Sequence, residues 1–249
     1  MKALEPAAPS RRPVQIRSLK LGERVAKILV ERIASGGDRA HSVPTEQEIC
    51  QEFGVSKTVA REVVGQLVSM RLVAVHHGRR TQRRPANQWD YLNPVLIDVL
   101  PEADLLDLLR ELHQVRLLLE PEVAALAAER MDEARIERMR LLIESMRAST
   151  DAPDAYLDLD VAFHGELVAA AQNRILSQLI DSIGALLRAS RRVSNLLPQA
   201  LVRATEAHAA ILDAVIAGDP AVAREAMIRH IEFASAAWTE EPQRTSKAV

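Results

Sequence analysis

The chain divides at Pro85 into two parts of opposite charge. Residues 1–85 carry 16 Lys and Arg against 8 Asp and Glu, whereas residues 86–249 carry 16 against 26. A basic segment can neutralise the phosphates of a polyanion, while an acidic segment would be repelled unless it lies away from them. The charge pattern therefore predicts two domains, of which the first binds a polyanion.

Composition narrows the class of protein. Of the 249 residues, 48% are hydrophobic and only 3% are aromatic, which favours helices over sheets. Cys50 is the single cysteine, so an intramolecular disulfide and a cysteine-rich zinc site are both excluded. No apolar run approaches the roughly 18 residues of a membrane span. We therefore expect a soluble, cytoplasmic protein without a membrane partner.

Residues 45–70 have the spacing of a helix-turn-helix. Thr45 and Glu48 are placed to form a capping box, and Gly54 suits the left-handed position that ends a helix. A second helix starts at once and buries a stripe of valine and leucine. The polar residues at its exposed N-terminal end are Ser56, Lys57, Thr58 and Arg61. In a recognition helix this end enters the major groove of DNA.

The next segment predicts a wing. Residues 72–75 are apolar and partly β-branched, residues 76–79 can turn, and residues 81–84 can return as a second strand. The basic residues that supply charge around the turn are Arg79, Arg80, Arg83 and Arg84. Together these elements predict a winged helix.

The acidic part predicts a bundle. Its apolar residues recur at helical spacing in the segments 103–130, 132–149, 154–172, 175–193, 198–217 and 219–238. The expected fold is mainly α, with an N-terminal winged helix-turn-helix plus a C-terminal all-helical antiparallel bundle. The predicted divisions are a flexible N-terminal tail at 1–18, the winged helix at 19–84, a linker at 85–101, the bundle at 102–239 and a C-terminal tail at 240–249.

Four ionisable residues interrupt the apolar stripes of the bundle. Asp160 and His164 are four residues apart on one helix face, while His208 and His230 each interrupt another helix. An ionisable group in a core must be paired, hydrogen-bonded or bound to metal. One Asp with three His matches the oxygen and nitrogen ligands of a divalent transition metal. We predict a metal centre, with zinc as first candidate and nickel, manganese or iron as alternatives; for any single histidine the alternative is a hydrogen-bonded core residue.

Arg116 falls on the apolar stripe of the first bundle helix. An unpaired guanidinium is costly there, so Arg116 is predicted to pair with the carboxylate of an incoming acid, with Glu120 as the alternative partner. Further candidate donors to such an acid are Arg188, Arg191, Arg192 and Gln172.

The segment VPTEQEICQEFGVSKTVAREVVGQLVSMRLV resembles the DNA-binding domain of GntR-type bacterial repressors, whose usual pattern is LP-S-E-R-x-L-A followed by FGVSR-x-TVR-x-A-L-x-x-L. Gln47 and Lys57 stand where the family commonly has arginine. Lysine cannot offer guanine a bidentate fork, so Arg61 is the predicted base contact, and Ser56 and Thr58 are predicted to hold phosphates. The DNA contacts that the resemblance implies are Thr45, Gln47, Ser56, Lys57, Thr58, Arg61 and, at the wing tip, His77, Gly78 and Arg79.

Residues 100–238 resemble the FCD domain, the helical effector domain of the FadR branch of these regulators. The motifs that carry the resemblance are Arg116-x-x-Leu119-Glu120-Pro121, Asp160-x-x-x-His164, Asn173, His208 and the Gly218-Asp219 that precedes His230. The resemblance implies a metal-holding domain that binds a small organic or sugar acid. A shorter likeness at residues 87–92, which include Trp89 and Tyr91, is to the linker of sugar-acid-responsive members.

These observations predict a transcriptional repressor that works as a homodimer. Two recognition helices would bind a pseudopalindromic operator in double-stranded DNA, until an acid at the metal and Arg116 favours a conformation that no longer fits the DNA. Two alternatives stay open: a metal-dependent hydrolase, and a regulator in which the metal is purely structural.

Overall fold

The computed structural model describes residues 16–36, 43–75, 80–196 and 199–239. The chain forms two compact units, Met1–Tyr91 and Leu92–Val249. The division falls inside the segment 85–101, for which a linker is predicted. Part of that segment is folded, as a 3-10 turn at Ala86–Gln88 and a short helix at Pro94–Ile97.

Within its described residues, the first unit has three helices followed by two short strands. In chain order these are α1 (Ile16–Ala34), α2 (Glu46–Phe53), α3 (Lys57–Ser69), β1 (Val73–Ala74) and β2 (Gln82–Arg83). The order is that of the predicted winged helix-turn-helix, and this part of the fold prediction is confirmed. Helix α1 begins inside the segment 1–18 that we expect to be a tail, whereas residues 1–15 and 240–249 lie outside the described residues.

Local signals explain where α2 and α3 begin and end. The Thr45 hydroxyl accepts a hydrogen bond from the Glu48 amide at 3.2 Å, and the Thr45 amide donates to the Glu48 carboxylate at 2.7 Å. This is the predicted capping box. Gly54 ends α2 with φ +63°, a conformation that glycine adopts without strain. Ser56 then caps α3 by accepting from the Val59 amide, so Gly54 and Ser56 set the turn between the two helices.

The two strands of the wing pair antiparallel, with Val73 opposite Arg83 and Ala74 opposite Gln82. Each strand has two residues, fewer than the four predicted. The pairing continues on one side, because the Arg84 amide donates to the Leu72 carbonyl at 2.8 Å. The predicted turn at residues 76–79 lies outside the described residues.

The second unit is an all-helical bundle in the part of the chain that the structure describes, which confirms the helical half of the fold prediction. Its helices are α4 (Pro94–Ile97), α5 (Glu102–Arg130), α6 (Glu133–Arg147), α7 (Pro153–Ala170), α8 (Arg174–Ser182), α9 (Gly184–Ser194), α10 (Ala200–Ile216) and α11 (Pro220–Thr239). Helices α5, α7, α10 and α11 pack around one hydrophobic core, with α6 against α7 and α10. Small residues such as Ala124 and Ala127 are fully buried there and allow the helices to approach closely.

One detail of the bundle differs from what the apolar periodicity predicts, and another agrees with it. The predicted helix 175–193 is two helices, separated at Ile183, which adopts φ −95° and ψ 5°. Gly184, a poor helix former, follows the break and starts α9. Pro121 does not divide the first bundle helix, since it lies inside α5, whose total length is 29 residues. The break turns α9 so that Leu186 and Leu187 are buried.

Among the described residues, no helix is both long enough and apolar enough to cross a bilayer.

Candidate metal centre and nucleic-acid interface

Helix α3 presents a polar surface at its N-terminal end. Val59, Val63 and Leu67 face the core of the first unit. The exposed residues on the opposite side are Ser56, Lys57, Thr58 and Arg61. The Arg61 guanidinium lies 3.6 Å from the Glu46 carboxylate, but its side chain is 77% exposed. An exposed pair of this kind is worth at most about 1 kcal/mol, so Arg61 can leave it to bind another acceptor.

The other predicted DNA contacts of the first unit divide into three groups. Gln47 is exposed on α2 and free to reach outward, whereas Thr45 is half-buried and its side chain caps α2. The wing-tip residues His77, Gly78 and Arg79 lie outside the described residues.

The basic residues after the wing tip have intramolecular partners. Arg80 forms a two-pronged ion pair with Glu48 at 2.9 and 3.0 Å. The Arg83 guanidinium stacks 5.0 Å from the Trp89 ring, and Arg84 donates to the Val73 carbonyl. Trp89 is buried and donates its ring N–H to the Arg84 carbonyl at 3.0 Å. These arginines therefore hold the wing and the following turn together as well as adding positive charge.

The second unit brings the four predicted metal ligands into one cluster. Asp160 and His164 project from α7, His208 from α10 and His230 from α11, and one ligand atom from each lies within 4.8 Å of the others. His208 Nε2 lies 3.0 Å from Asp160 Oδ1 and 3.3 Å from His164 Nε2. All four side chains are buried, with exposed fractions of 7% or less.

The chemistry of this cluster suits a divalent metal ion. The His208 ring nitrogen that meets Asp160 and His164 is Nε2, so this is the atom that would bind an ion. Three imidazole nitrogens and a carboxylate oxygen are the donors that first-row divalent metals prefer. The His164 Nδ1 lies 3.3 Å from Glu120 Oε2, which directs His164 Nε2 at the cluster as an outer carboxylate does in metal sites. The residues present therefore fit a metal ion.

The electrostatics keep these side chains in their metal-binding states. Burial alone would oppose the ionisation of Asp160, but Arg191 and the hydrogen bond from His208 outweigh it and hold its pKa below the ordinary value. Burial lowers the pKa of His164 well below its usual range, and the positive charge of Arg191 lowers it further. Burial and His208 do the same for the pKa of His230. Asp160 is thus anionic and His164 and His230 are neutral near pH 7, as metal binding requires.

Two arginines and a glutamate surround the cluster. Arg116 is 1% exposed, and its Nε lies 2.6 Å from Glu120 Oε1 while its Nη1 donates to the Ser190 hydroxyl at 3.3 Å. Arg116 is therefore paired with Glu120, which the sequence offered as the alternative to an incoming acid. Arg191 lies 2.7 Å from Asp160 Oδ2 and 3.6 Å from Glu120 Oε2. Ser190 and Arg191 of α9 therefore belong to the site, because Ser190 contacts α5 and Arg191 contacts both α5 and α7.

A cavity of 440 Å³ adjoins the cluster. His164, Glu120 and Arg191 line it together with residues of α7, α8 and α9. Arg188 also lines the cavity, although its guanidinium is paired with Asp158 at 2.6 Å. Arg116 lies instead against a small pocket on the other side of Asp160. Gln172 is exposed in the turn after α7 and does not line the cavity.

Sequence patterns could not indicate the role of every residue in the site. The four-residue spacing of Arg116 and Glu120 made their pairing a clear alternative. Arg191 is among the candidate donors, but no spacing signals its contacts with Asp160 and Glu120, because the break at Ile183 changes which face of α9 is buried. Tyr156 carries no such signal either; it is fully buried one helical turn before Asp160, and its hydroxyl forms a hydrogen bond of 3.0 Å with the hydroxyl of Thr205. Burial raises the pKa of Tyr156, so this hydroxyl stays protonated.

Both units match known family models. Residues 21–82 match the model described as bacterial regulatory proteins, gntR family, and residues 111–233 match the model of the FCD domain. These matches cover the helix-turn-helix with its wing and the bundle that contains the four clustered side chains.

Characterised proteins are similar over most of the chain. The transcriptional regulator LutR of Bacillus subtilis is 31% identical over 200 residues, which cover 78% of this chain and 89% of LutR. The galactonate operon transcriptional repressor of Escherichia coli is 29% identical over 191 residues, covering 76% and 83%. The solved structure of Lar, which controls the expression of the Listeria monocytogenes agr system, has a TM-score of 0.58 at 16% identity and covers 93% of this chain and 100% of its own. At that identity the likeness to Lar is one of fold alone.

We predict that the purified protein binds one divalent transition metal ion per chain and that His208→Ala abolishes this binding. The affinity should fall by more than the roughly 10- to 100-fold that loss of an outer partner costs, because a ligand atom itself is removed. Calorimetric titration with zinc measures the loss. His113→Ala is the matched control, since His113 is half-buried on α5 outside the cluster. Equal zinc affinity in the His208→Ala protein would contradict the assignment.

We predict that the chelator-treated protein loses stability as the pH falls below about 6.5, where the imidazoles of the unfolded chain begin to bind protons. The pKa values of His164 and His230 are lowered in the folded state, so protonation favours unfolding by about 1.4 kcal/mol per pH unit for each imidazole. Asp160 stays ionised in both states over this window. Denaturant unfolding between pH 7 and 5 measures the slope. His230→Gln should reduce it, and an unchanged stability down to pH 5 would refute the assigned shifts.

Proposed function

The chain belongs to the GntR family of bacterial transcriptional regulators and carries an FCD domain. From this premise we propose that it is a repressor. Its operator is released when a small organic or sugar acid binds at a metal centre in the bundle. A protein of this family is a regulator and not an enzyme, so the hydrolase is no longer an alternative. The E. coli relative represses a galactonate operon, which supports a repressor role and an acid effector here.

The convergence of Asp160, His164, His208 and His230 inside the bundle is the observation that carries the proposal. Zinc remains the first candidate for this donor set, with nickel, manganese or iron as alternatives. A bound divalent ion supplies two positive charges and open coordination positions for the oxygen atoms of an acid.

The charge balance of the surrounding side chains favours an anionic ligand. Arg116 and Arg191 are balanced by Glu120 and Asp160, and all four are buried. The protein therefore brings no surplus negative charge to offset a cation. Uncompensated charge in a buried site is costly, so a carboxylate entering the adjoining cavity would be stabilised there.

Arg191 is the side chain best placed to receive that carboxylate. It lines the cavity and is buried, and it already contacts two carboxylates, those of Asp160 and Glu120. Arg188 stands at a more exposed part of the same cavity. Arg116 is placed behind Glu120, so we assign it to holding Glu120 against His164 rather than to direct contact.

On DNA, we assign Ser56 and Thr58 to phosphates and Arg61 to a base, with Lys57 and Gln47 beside them on the exposed side of α2 and α3. A homodimer would place two copies of α3 on a pseudopalindromic operator, since two-fold symmetry in the protein is matched by two-fold symmetry in the site. The acid must bind the two conformations of the dimer unequally. A tenfold loss of DNA affinity requires a difference of about 1.4 kcal/mol.

Arg61→Ala should weaken binding to the operator by about 1–3 kcal/mol and relax the base preference at one position of each half-site. Arg61→Lys should lose most of the same discrimination, because the ammonium group lacks the planar fork. Fluorescence anisotropy, with a DNA fragment that the protein selects from a random library and its single-base variants, measures both effects at fixed salt. Arg174→Ala, an exposed arginine of the second unit, is the control for charge. A uniform loss on every variant would make Arg61 a phosphate contact.

At least one acid from a panel of organic and sugar acids should lower the DNA affinity of the zinc-loaded protein by tenfold or more, about 1.4 kcal/mol. Chelation and His208→Ala should each remove the response, while His113→Ala should keep it. Anisotropy with the selected fragment reports release, and circular dichroism checks that each variant is folded. If folded His208→Ala releases DNA with the same acid at the same concentration, the metal is structural and the effector binds elsewhere.

A further inference from the structure

The polarity of the residues that line the cavity beside the metal cluster changes along its length. Its buried polar groups, His164, Glu120 and Arg191, belong to the cluster and its surroundings. Polar groups nearer the surface, Ser177, Asp181 and Arg188, stand farther from the core. The space between these two ends is the part of the site that the body of an effector would occupy.

Hydrocarbon and thioether side chains form the walls between the two polar ends. They are Val123, Val161, Leu167, Val168, Leu187 and Met227. A hydroxyl group placed against such a wall without a partner costs about 1–3 kcal/mol. A sugar acid carries a hydroxyl on every carbon of its body, so several of them would lose their hydrogen bonds with water here. The walls therefore disfavour a polyhydroxylated body.

Two glycines keep the cavity open. Gly165 lies inside α7 and Gly184 starts α9, and both line the cavity. A Cβ atom added at either position would meet nothing within 4 Å. Glycine inside a helix costs about 1 kcal/mol relative to alanine, and no close packing at Gly165 offsets that cost. Gly165 is exposed and Gly184 is half-buried, so both glycines leave open space at the solvent side of the cavity.

The cavity volume of 440 Å³ sets an upper limit on the size of the ligand. An acid of about six to ten carbons fits this space with its carboxylate toward His164 and Arg191.

We infer that the effector is a carboxylic acid of about six to ten carbons in all whose body is apolar, and not a polyhydroxylated sugar acid. This inference rests on the proposed function and narrows its ligand class. The carboxylate and any 2-hydroxyl lie at the metal and Arg191, where polar partners are available, and the hydrocarbon body lies between α7, α8 and α9.

Two acids that differ only in the body test this inference. 2-Hydroxyhexanoate and galactonate both have six carbons and the same 2-hydroxycarboxylate end, but galactonate carries four further hydroxyls. We expect 2-hydroxyhexanoate to bind the zinc-loaded protein at least roughly tenfold more tightly in calorimetry, and chelation to abolish its binding. Tighter binding of galactonate would overturn the inference and leave the proposed function intact.

The remaining outcomes separate the two proposals. Binding of 2-hydroxyhexanoate that is unchanged by chelation would support the apolar cavity and refute the metal-centred function. If neither acid binds, and neither do the homologues of four and eight carbons, the inferred ligand class is wrong; release of DNA by some other acid would then still support the proposed function.

Gly165→Leu tests the position of the hydrocarbon body. Leucine favours the helix more than glycine does, so the variant should fold and bind zinc as before while its affinity for 2-hydroxyhexanoate falls by about tenfold or more, as the cavity is filled. Ala162→Leu, at an exposed position of the same helix that does not line the cavity, is the matched control. Unchanged affinity in the folded Gly165→Leu protein would contradict the placement.

Discussion

Balance among buried charges is the constraint on which the second unit depends. Arg116, Arg191, Glu120 and Asp160 lie inside the bundle, where removing one partner of an ion pair costs several kcal/mol. Each of them contacts a residue on another helix. Arg116 contacts Ser190, Arg191 contacts both Glu120 and Asp160, and Asp160 also contacts His208. The helices that carry them are thus held in one arrangement by charge as well as by apolar packing.

In the same arrangement, a small ligand at the cluster would affect contacts between several helices. The clustered side chains come from α7, α10 and α11, and the arginines and Glu120 come from α5 and α9. A change in the charge at their meeting point alters the contacts of all five helices at once. Packed interiors respond to such a change by moving between discrete arrangements rather than by deforming smoothly. Under the proposed function, this is the physical basis on which an acid at the centre would act on a bound operator.

Charge serves a different purpose in the first unit. Lys57 and Arg61 are exposed, and the ion pair between Arg61 and Glu46 is loose, so each cation remains available to a phosphate or a base. Arg83 and Arg84 instead contact Trp89 and a backbone carbonyl. Arg80 pairs with Glu48 but is 54% exposed, so it can leave that pair as Arg61 can leave its own. The net charge of the segment therefore overstates the number of cations that can contact DNA.

Features set by neighbours in the chain followed from the sequence alone. The capping box at Thr45, the left-handed Gly54 and the shared face of Asp160 and His164 depend on spacings of four residues or fewer, within which helix geometry decides what can meet. The partner of Arg191, the break at Ile183 and the apolar cavity were decided only by the tertiary structure. They depend on the rotation and depth of helices far apart in sequence, which only the packing of the whole core determines.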